Sequence, residues 1–286
     1  MRRGWNTLGW ACAFAVCSFC ANAQTFSWNW TGFYVGADAG FVQSRSFSST
    51  QAALSPTPYL TSTPLPGTFT GTLGVFNVAA VDTLSASGAE GGVHAGFNWQ
   101  LKPLTVGLEI DYEAFRTSAV RDTTFPFTST VLSQLHSETD AKWLFTVRPR
   151  IGWVYGALFG YITGGAAFTT ISASTLYSDT PTPPNRGVAS SGFVTTSQSK
   201  VGWTVGTGLE VAIAPRWTLR AEYLRVQFSA VTGAGQITNG TLFNPLNFSA
   251  DLKSDIVRVG VSHKFQWWFE EPVPPVAPGP VVVTKD

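Results

Sequence analysis

The 286-residue chain is 44% hydrophobic and only 12% charged, and its 18 basic and 17 acidic residues nearly cancel, which excludes the basic surface that nucleic acid binding needs. A mean hydropathy of +0.11, with no run of about eighteen apolar residues in the body, excludes helical membrane spans. Cys12, Cys17 and Cys20 all fall at the amino terminus, which removes disulfides, thiolate metal sites and cysteine nucleophiles from the remainder.

At that terminus Met1-Arg2-Arg3, an apolar run over 9–20 and Ala21-Asn22-Ala23 form a charged region, a hydrophobic core and a small-x-small cleavage site. Residues 1–23 are therefore expected to be an export signal, cut before Gln24. Losing Arg2 and Arg3 leaves 16 basic against 17 acidic residues.

From there the grammar is a period of two, which means strand, because successive side chains leave opposite faces of the pleat. A first strand over 31–41 sets Phe33, Val35, Ala37, Ala39 and Phe41 against Tyr34, Gly36, Asp38 and Gly40. A second over 90–100 opposes Val93, Ala95, Phe97 and Trp99 to Glu90, Gly92, His94, Gly96 and Asn98. After Lys102-Pro103 a third, from Leu104 on, puts Glu109, Asp111 and Glu113 on one face and Val106, Leu108, Ile110 and Tyr112 on the other. Three such acids need partners inside. The fourth, 140–154, offers Lys142, Arg148 and Arg150 opposite Trp143, Phe145, Val147, Ile151 and Trp153, with a bulge or a missing ladder bond expected at Pro149.

A fifth strand spans 158–171. The sixth and seventh form a hairpin over 200–228 around Ala214-Pro215-Arg216, with Lys200, Glu210, Arg220 and Glu222 on the glycine-rich face and Val201, Trp203, Val205, Leu209, Trp217 and Leu219 on the other. The eighth, 254–265, sets Val257, Val259, Val261, His263 and Phe265 against Arg258, Gly260, Ser262 and Lys264. Glycine beside full charges on one face, with aromatics on the other, describes a crowded polar interior inside an apolar exterior, and lipid is the simplest exterior medium. Arg225 and Asp255 fall on the outward face near the long-loop ends of their strands, where they can pair.

Connection lengths alternate as well. The links 42–89, 116–139, 172–199 and 229–253 are long and rich in Ser, Thr, Gly and Pro, whereas those after strands two, four and six are tight. The expected fold is an all-β, eight-stranded, antiparallel up-and-down transmembrane barrel, residues 24–265, with short periplasmic turns, long extracellular loops and both termini in the periplasm. No edge can stay open in hydrocarbon, so strand one must pair with strand eight. Inward charges number seven of each sign: Asp38, Glu90, Glu109, Asp111, Glu113, Glu210 and Glu222 against Lys142, Arg148, Arg150, Lys200, Arg220, Arg258 and Lys264. Eight strands leave a lumen that side chains fill, so these residues are expected to form an ion-pair plug.

The segments TGFYVGADAGF, TVRPRIGWVYG, YITGGAAF, the hairpin from GWTVGTGLEV to LRVQF, and DIVRVGVSHKF resemble the strands of the small alphaproteobacterial outer-membrane β-barrel family. That family includes outer-membrane immunogenic and haemin-binding proteins and is similar in fold to the OmpA transmembrane barrel. The resemblance implies a surface-exposed, structural or porin-like envelope protein in the bacterial outer membrane, with haemin binding in some members. The chain departs from it in a long first loop and in continuing past Phe265, where such barrels commonly end, through Trp267, Trp268 and Phe269 into a proline-rich tail. Residues 266–286 are expected to form an extended periplasmic tail, disordered or tethering the barrel to the cell wall or a periplasmic partner.

Catalytic, metal and cofactor motifs are not recognisable. His94, His136 and His263 lie in different segments, and Ser262 and His263, being adjacent in a strand, face opposite sides. The leading reading is a non-enzymatic, plugged barrel in contact with outer-membrane lipid and lipopolysaccharide. The alternatives are a narrow channel or a haemin receptor using Tyr59, Phe76 or Phe243, and, further off, a lipid hydrolase.

Overall fold

A computed structural model describes residues 28–56, 72–128, 131–181, 189–240 and 242–265. The expected export signal, the proline-rich tail and Tyr59 lie outside the described residues. Among the described residues the strands are β1 (Gly32–Ala52), β2 (Val81–Leu101), β3 (Leu104–Thr128), β4 (Val131–Tyr155), β5 (Leu158–Pro181), β6 (Ser191–Ala214), β7 (Trp217–Thr238) and β8 (Phe243–Lys264), and a helix, α1 (Thr72–Ala79), lies between β1 and β2. Each strand pairs antiparallel with its sequence neighbour, and β1 closes on β8 through Ala37↔Val261 and Phe41↔Val257. Closure removes every unpaired edge from the sheet.

The strand order agrees with the alternation, but the strands are longer than it suggests. They run 21 to 25 residues, roughly twice the 9–11 that a bilayer requires. Much of the Ser/Thr-rich sequence between predicted strands is therefore ladder: β3 and β4 stay paired from Leu104↔Trp153 to Thr128↔Val131. Pairing satisfies the backbone there whatever the side chains are.

One irregularity redirects a predicted lumen residue. Between Ala141 and Phe145 the registers of β4 with both neighbours shift, so Ala141 and Leu144 both point inward while Lys142 and Trp143 both point out. A bulge inserts one residue and re-aims those beyond it. Pro149 causes no shift; the β4–β5 pairs simply skip from Val147↔Ala166 to Arg150↔Thr163.

Aromatic side chains occupy the lumen towards both ends. At the short-turn end Trp28 and Trp30 fold under the lumen, with the Trp30 ring 5.1 Å from Phe159 and Phe159 stacked 5.2 Å from Tyr161. At the other end α1 places Phe76 inside, 0% exposed, edge-on to Phe125 and Tyr177. Asn77 holds the helix there by accepting the Ala52 amide at 2.7 Å and donating to the Ala52 carbonyl at 3.2 Å, which prolongs the β1 ladder with a side chain.

Candidate functional site: a charged lumen inside a two-toned wall

The middle of the lumen is built by β1, β2, β3, β4, β6, β7 and β8, each presenting at least one charged side chain inward. Space for them comes from glycines on the same face: a Cβ at Gly36 would run into the His94 imidazole, and one at Gly260 into the Asp38 carboxylate. Four guanidiniums organise the layer. Arg148 reaches Glu109 at 2.7 Å, Asp111 at 2.9 Å and Glu222 at 3.2 Å. Arg220 grips Asp38 with two bonds of 2.6 and 2.7 Å and Glu109 with one of 2.9 Å. Arg150 bonds Glu210 at 2.6 Å and Asn98 at 2.9 Å, and its guanidinium lies 4.5 Å above the Tyr34 ring. Arg258 holds Asp111 at 2.6 Å and touches Glu113 and Glu222. Tyr34 and Tyr161 donate to Glu109 at 2.7 Å and Glu222 at 2.9 Å. All four arginines are buried, so these bonds cross the barrel without water between them.

Three lysines expected in this layer are elsewhere. Lys142, turned out by the bulge, has a side chain 79% exposed and lies 3.5 Å from Asp140. Lys200 faces inward but half-buried, ten residues up β6 from Glu210, and forms no ion pair among the described residues. Lys264 sits at the floor, where its ammonium donates to the Asn29 carbonyl at 2.6 Å. The seven acids thus face four arginines rather than seven cations. Glu90 shows the shortage directly: it is buried, and neither carboxylate oxygen has a hydrogen-bond partner.

Above this layer the lumen changes character. Val42, Leu144, Ile171, Val226, Phe228 and Leu252 point inward and pack with Phe76 into one apolar core. The outside changes in the opposite sense at the same level. Outward positions over 33–41 on β1, 89–99 on β2, 104–114 on β3, 143–153 on β4, 158–168 on β5, 201–211 on β6, 217–223 on β7 and 257–263 on β8 are apolar or glycine, apart from Thr207 and His263. Thr207 donates to the Tyr161 carbonyl at 2.9 Å, and His263 packs 4.8 Å from Trp217 at the lower rim. Phe41, Tyr112, Trp143, Phe168, Trp203 and Tyr223 edge the belt above; Phe33, Trp99, Trp153 and Trp217 edge it below. Immediately above come Gln43, Ser87, Lys142, Thr170, Ser199, Arg225 and Asp255. Arg225 lies 3.5 Å from Asp255, which also accepts the Tyr223 hydroxyl at 2.7 Å.

Two constellations could suggest chemistry. Asp38, Asp111 and Glu113 bring carboxylate oxygens within 4.8 Å of one another, a spacing a metal ion could bridge, but Arg258 already reaches into the group. Ser262, His94 and Asp38 form a hydrogen-bonded chain of 2.8 and 2.7 Å. Their strands are β8, β2 and β1, so the chain exists only once the barrel closes, and the sequence pairing of Ser262 with His263 missed it. Ser262 is 2% exposed, and Asp38 is committed to Arg220, so no acyl group can reach the hydroxyl. His136 is a strand residue facing out, 2.6 Å from Asp122. Phe76 is a core residue, and Phe243 starts β8 at the upper rim.

A family model described as outer membrane protein beta-barrel domain matches residues 11–265. The chain is 30% identical over 250 residues to the 31 kDa outer-membrane immunogenic proteins of Brucella melitensis and Brucella suis, covering 86% of this chain and 87% of theirs. Among solved structures it is similar to the outer membrane protein OprG of Pseudomonas aeruginosa, at 12% identity and a TM-score of 0.42, over 85% of this chain and all of that one.

Proposed function

The chain belongs to the outer-membrane β-barrel protein family, and from that premise we propose that it is a non-enzymatic, surface-exposed envelope barrel whose lumen is plugged and carries no solute. The apolar belt sits in the outer membrane, about 9–11 residues per strand being what tilted strands need to cross it. The short turns and the floor of Trp28 and Trp30 face the periplasm; the long β-extension and α1 stand outside the cell. In water the extension needs a polar wall and an apolar filling, and the swap of Val and Phe to the inside above residue 41 of β1 supplies both.

The observation that carries the reading is the arginine layer. Arg148, Arg220 and Arg258 are buried, and their bonds tie β4 and β7 and β8 to acids on β1 and β3, so a path through the monomer would have to break several charge-assisted bonds. Above and below it, Phe76 and Trp30 obstruct the same axis. Outer-membrane lipid and lipopolysaccharide are the partners of the belt, and the composition of the tail over 266–286 supports an extended periplasmic end, with a tether to the cell wall or a periplasmic partner as the alternative. Planar-bilayer recording tests the reading: the protein is expected to give no stable conductance steps and no spectral shift with haemin. Reproducible steps from a homogeneous sample would overturn the plug, and a saturable haemin shift would favour a receptor.

A further inference from the structure

We propose that the face of β7, β8 and β1 just above the upper aromatic rim binds the phosphate groups of a phosphorylated glycolipid of the outer leaflet; this rests on the belt's marking the bilayer. On β7, β8 and β1 the row Gln227↔Lys253↔Arg45 stands two residues above the row Arg225↔Asp255↔Gln43, itself directly over the belt residues Tyr223, Val257 and Phe41. All these side chains face outward, which sets them at headgroup height.

Arg45 and Lys253 are direct cross-strand partners of like charge, an arrangement that a sheet disfavours and that the carboxylate of Asp251 relieves on the Lys253 side alone. Arg45 has no ion pair or hydrogen-bond partner among the described residues. The other two cations each sit beside one carboxylate, so the three cations and two acids leave one positive charge uncompensated, at Arg45. Asp251, pinned by the Phe47 amide at 2.8 Å, lies 3.1 Å from the Lys253 ammonium, and Asp255 lies 3.5 Å from Arg225. At the same height β5 and β6 carry only the hydroxyls of Thr170 and Ser199, which bond each other at 3.2 Å, and β4 carries the single cation Lys142, 3.5 Å from Asp140. A phosphate carried on a sugar directly above acyl chains matches a planar guanidinium with an ammonium beside it, bordering an apolar wall. Arg45 is the bidentate clamp, Lys253 and Arg225 the flanking charges, and Gln43 and Gln227 supply amide donors between them.

The test uses the folded full-length protein in detergent and native mass spectrometry with four probes: bisphosphorylated lipid A, the same lipid without phosphates, phosphatidylglycerol and inorganic phosphate. Arg45→Gln with Lys253→Gln is expected to weaken bisphosphorylated lipid A about twenty-fivefold, each headgroup-level cation contributing about fivefold. Lys142→Gln, on the far side, leaves the binding unchanged. The dephosphorylated lipid, phosphatidylglycerol and phosphate should bind the native protein no better than the double variant binds lipid A. Equal lipid A binding by the double variant, or equal binding of phosphatidylglycerol, overturns the assignment. Gel mobility of the same samples separates the two readings: a heat-dependent shift without selective binding sinks this site alone, and no shift sinks the barrel.

Discussion

Replacing Arg148 by methionine removes one cation from the centre of the lumen while keeping most of its volume. The guanidinium leaves Glu109, Asp111 and Glu222 at once, but Glu109 keeps Arg150 and Arg220, and the other two keep Arg258. Breaking a buried pair by removing one partner costs about 3–5 kcal/mol, and the surviving partners place this case near about 3 kcal/mol. Urea unfolding in detergent micelles, followed by tryptophan emission and by the loss of the fast-migrating band on unheated gels, measures it. The variant should unfold at lower urea with an unchanged slope, since the same surface is exposed. Adding Asp111→Leu should recover at least about 1 kcal/mol, because an apolar replacement of both partners leaves fewer unpaired charges. A loss below about 1 kcal/mol for Arg148→Met alone is the scale of a surface pair and would refute the claim that this layer is dry and continuous.

Other substitutions probe each tone of the wall and filling. Glu90→Gln, at a carboxylate with no hydrogen-bond partner, should be neutral or stabilising, whereas Glu109→Gln, which meets three arginines, should lower the urea midpoint. Val259→Arg, in the belt, should cost about 2–4 kcal/mol, and Ser249→Arg, on the same strand and face but above it, close to nothing; equal costs would remove the membrane boundary. Phe76→Ala should open a cavity worth about 3–5 kcal/mol beneath α1, exposing 72–80 to protease while the heat-shifted band persists; unchanged protection would show that Phe76 is not the cork. Ser262 should resist fluorophosphonate labelling in the folded barrel; stoichiometric labelling lost in His94→Ala would revive a hydrolase.

The lower half was legible because lipid outside and charge inside make opposite faces chemically unlike. Phe33 to Phe41 alternating with Tyr34, Asp38 and glycine can be read in one direction only. In the upper half the contrast fades: on β1 Ser44, Ser46, Ser48 and Thr50 point in while Gln43, Ser49 and Gln51 point out, so hydroxyls occupy both faces and the stretch resembles loop. Where contrast returns, as at Val226 and Phe228 inside against Gln227 outside, its sign is reversed, and an apolar-out rule misreads it. Lys142 escapes the alternation because a bulge is defined only by register against a partner strand, and parity counted along one strand carries through it. Lys200 kept its inward parity but lies above the level where the filling turns apolar. The Ser262, His94 and Asp38 chain follows from inward parity at all three positions, together with the closing register of Gly36 against both His94 and Ser262, which no local pattern contains.

The belt can be measured directly, since no cysteine lies beyond Cys20 and single cysteines can carry nitroxide labels. Labels placed in turn on the outward positions of β5, from Gly160 through Phe168 to Ser174, in protein reconstituted into bilayers, should collide mainly with oxygen up to residue 168. From Thr170 upward they should collide mainly with a water-soluble relaxant. Relaxant reaching 160–168 as readily as 170–174 would contradict a membrane-spanning belt and the account built on it.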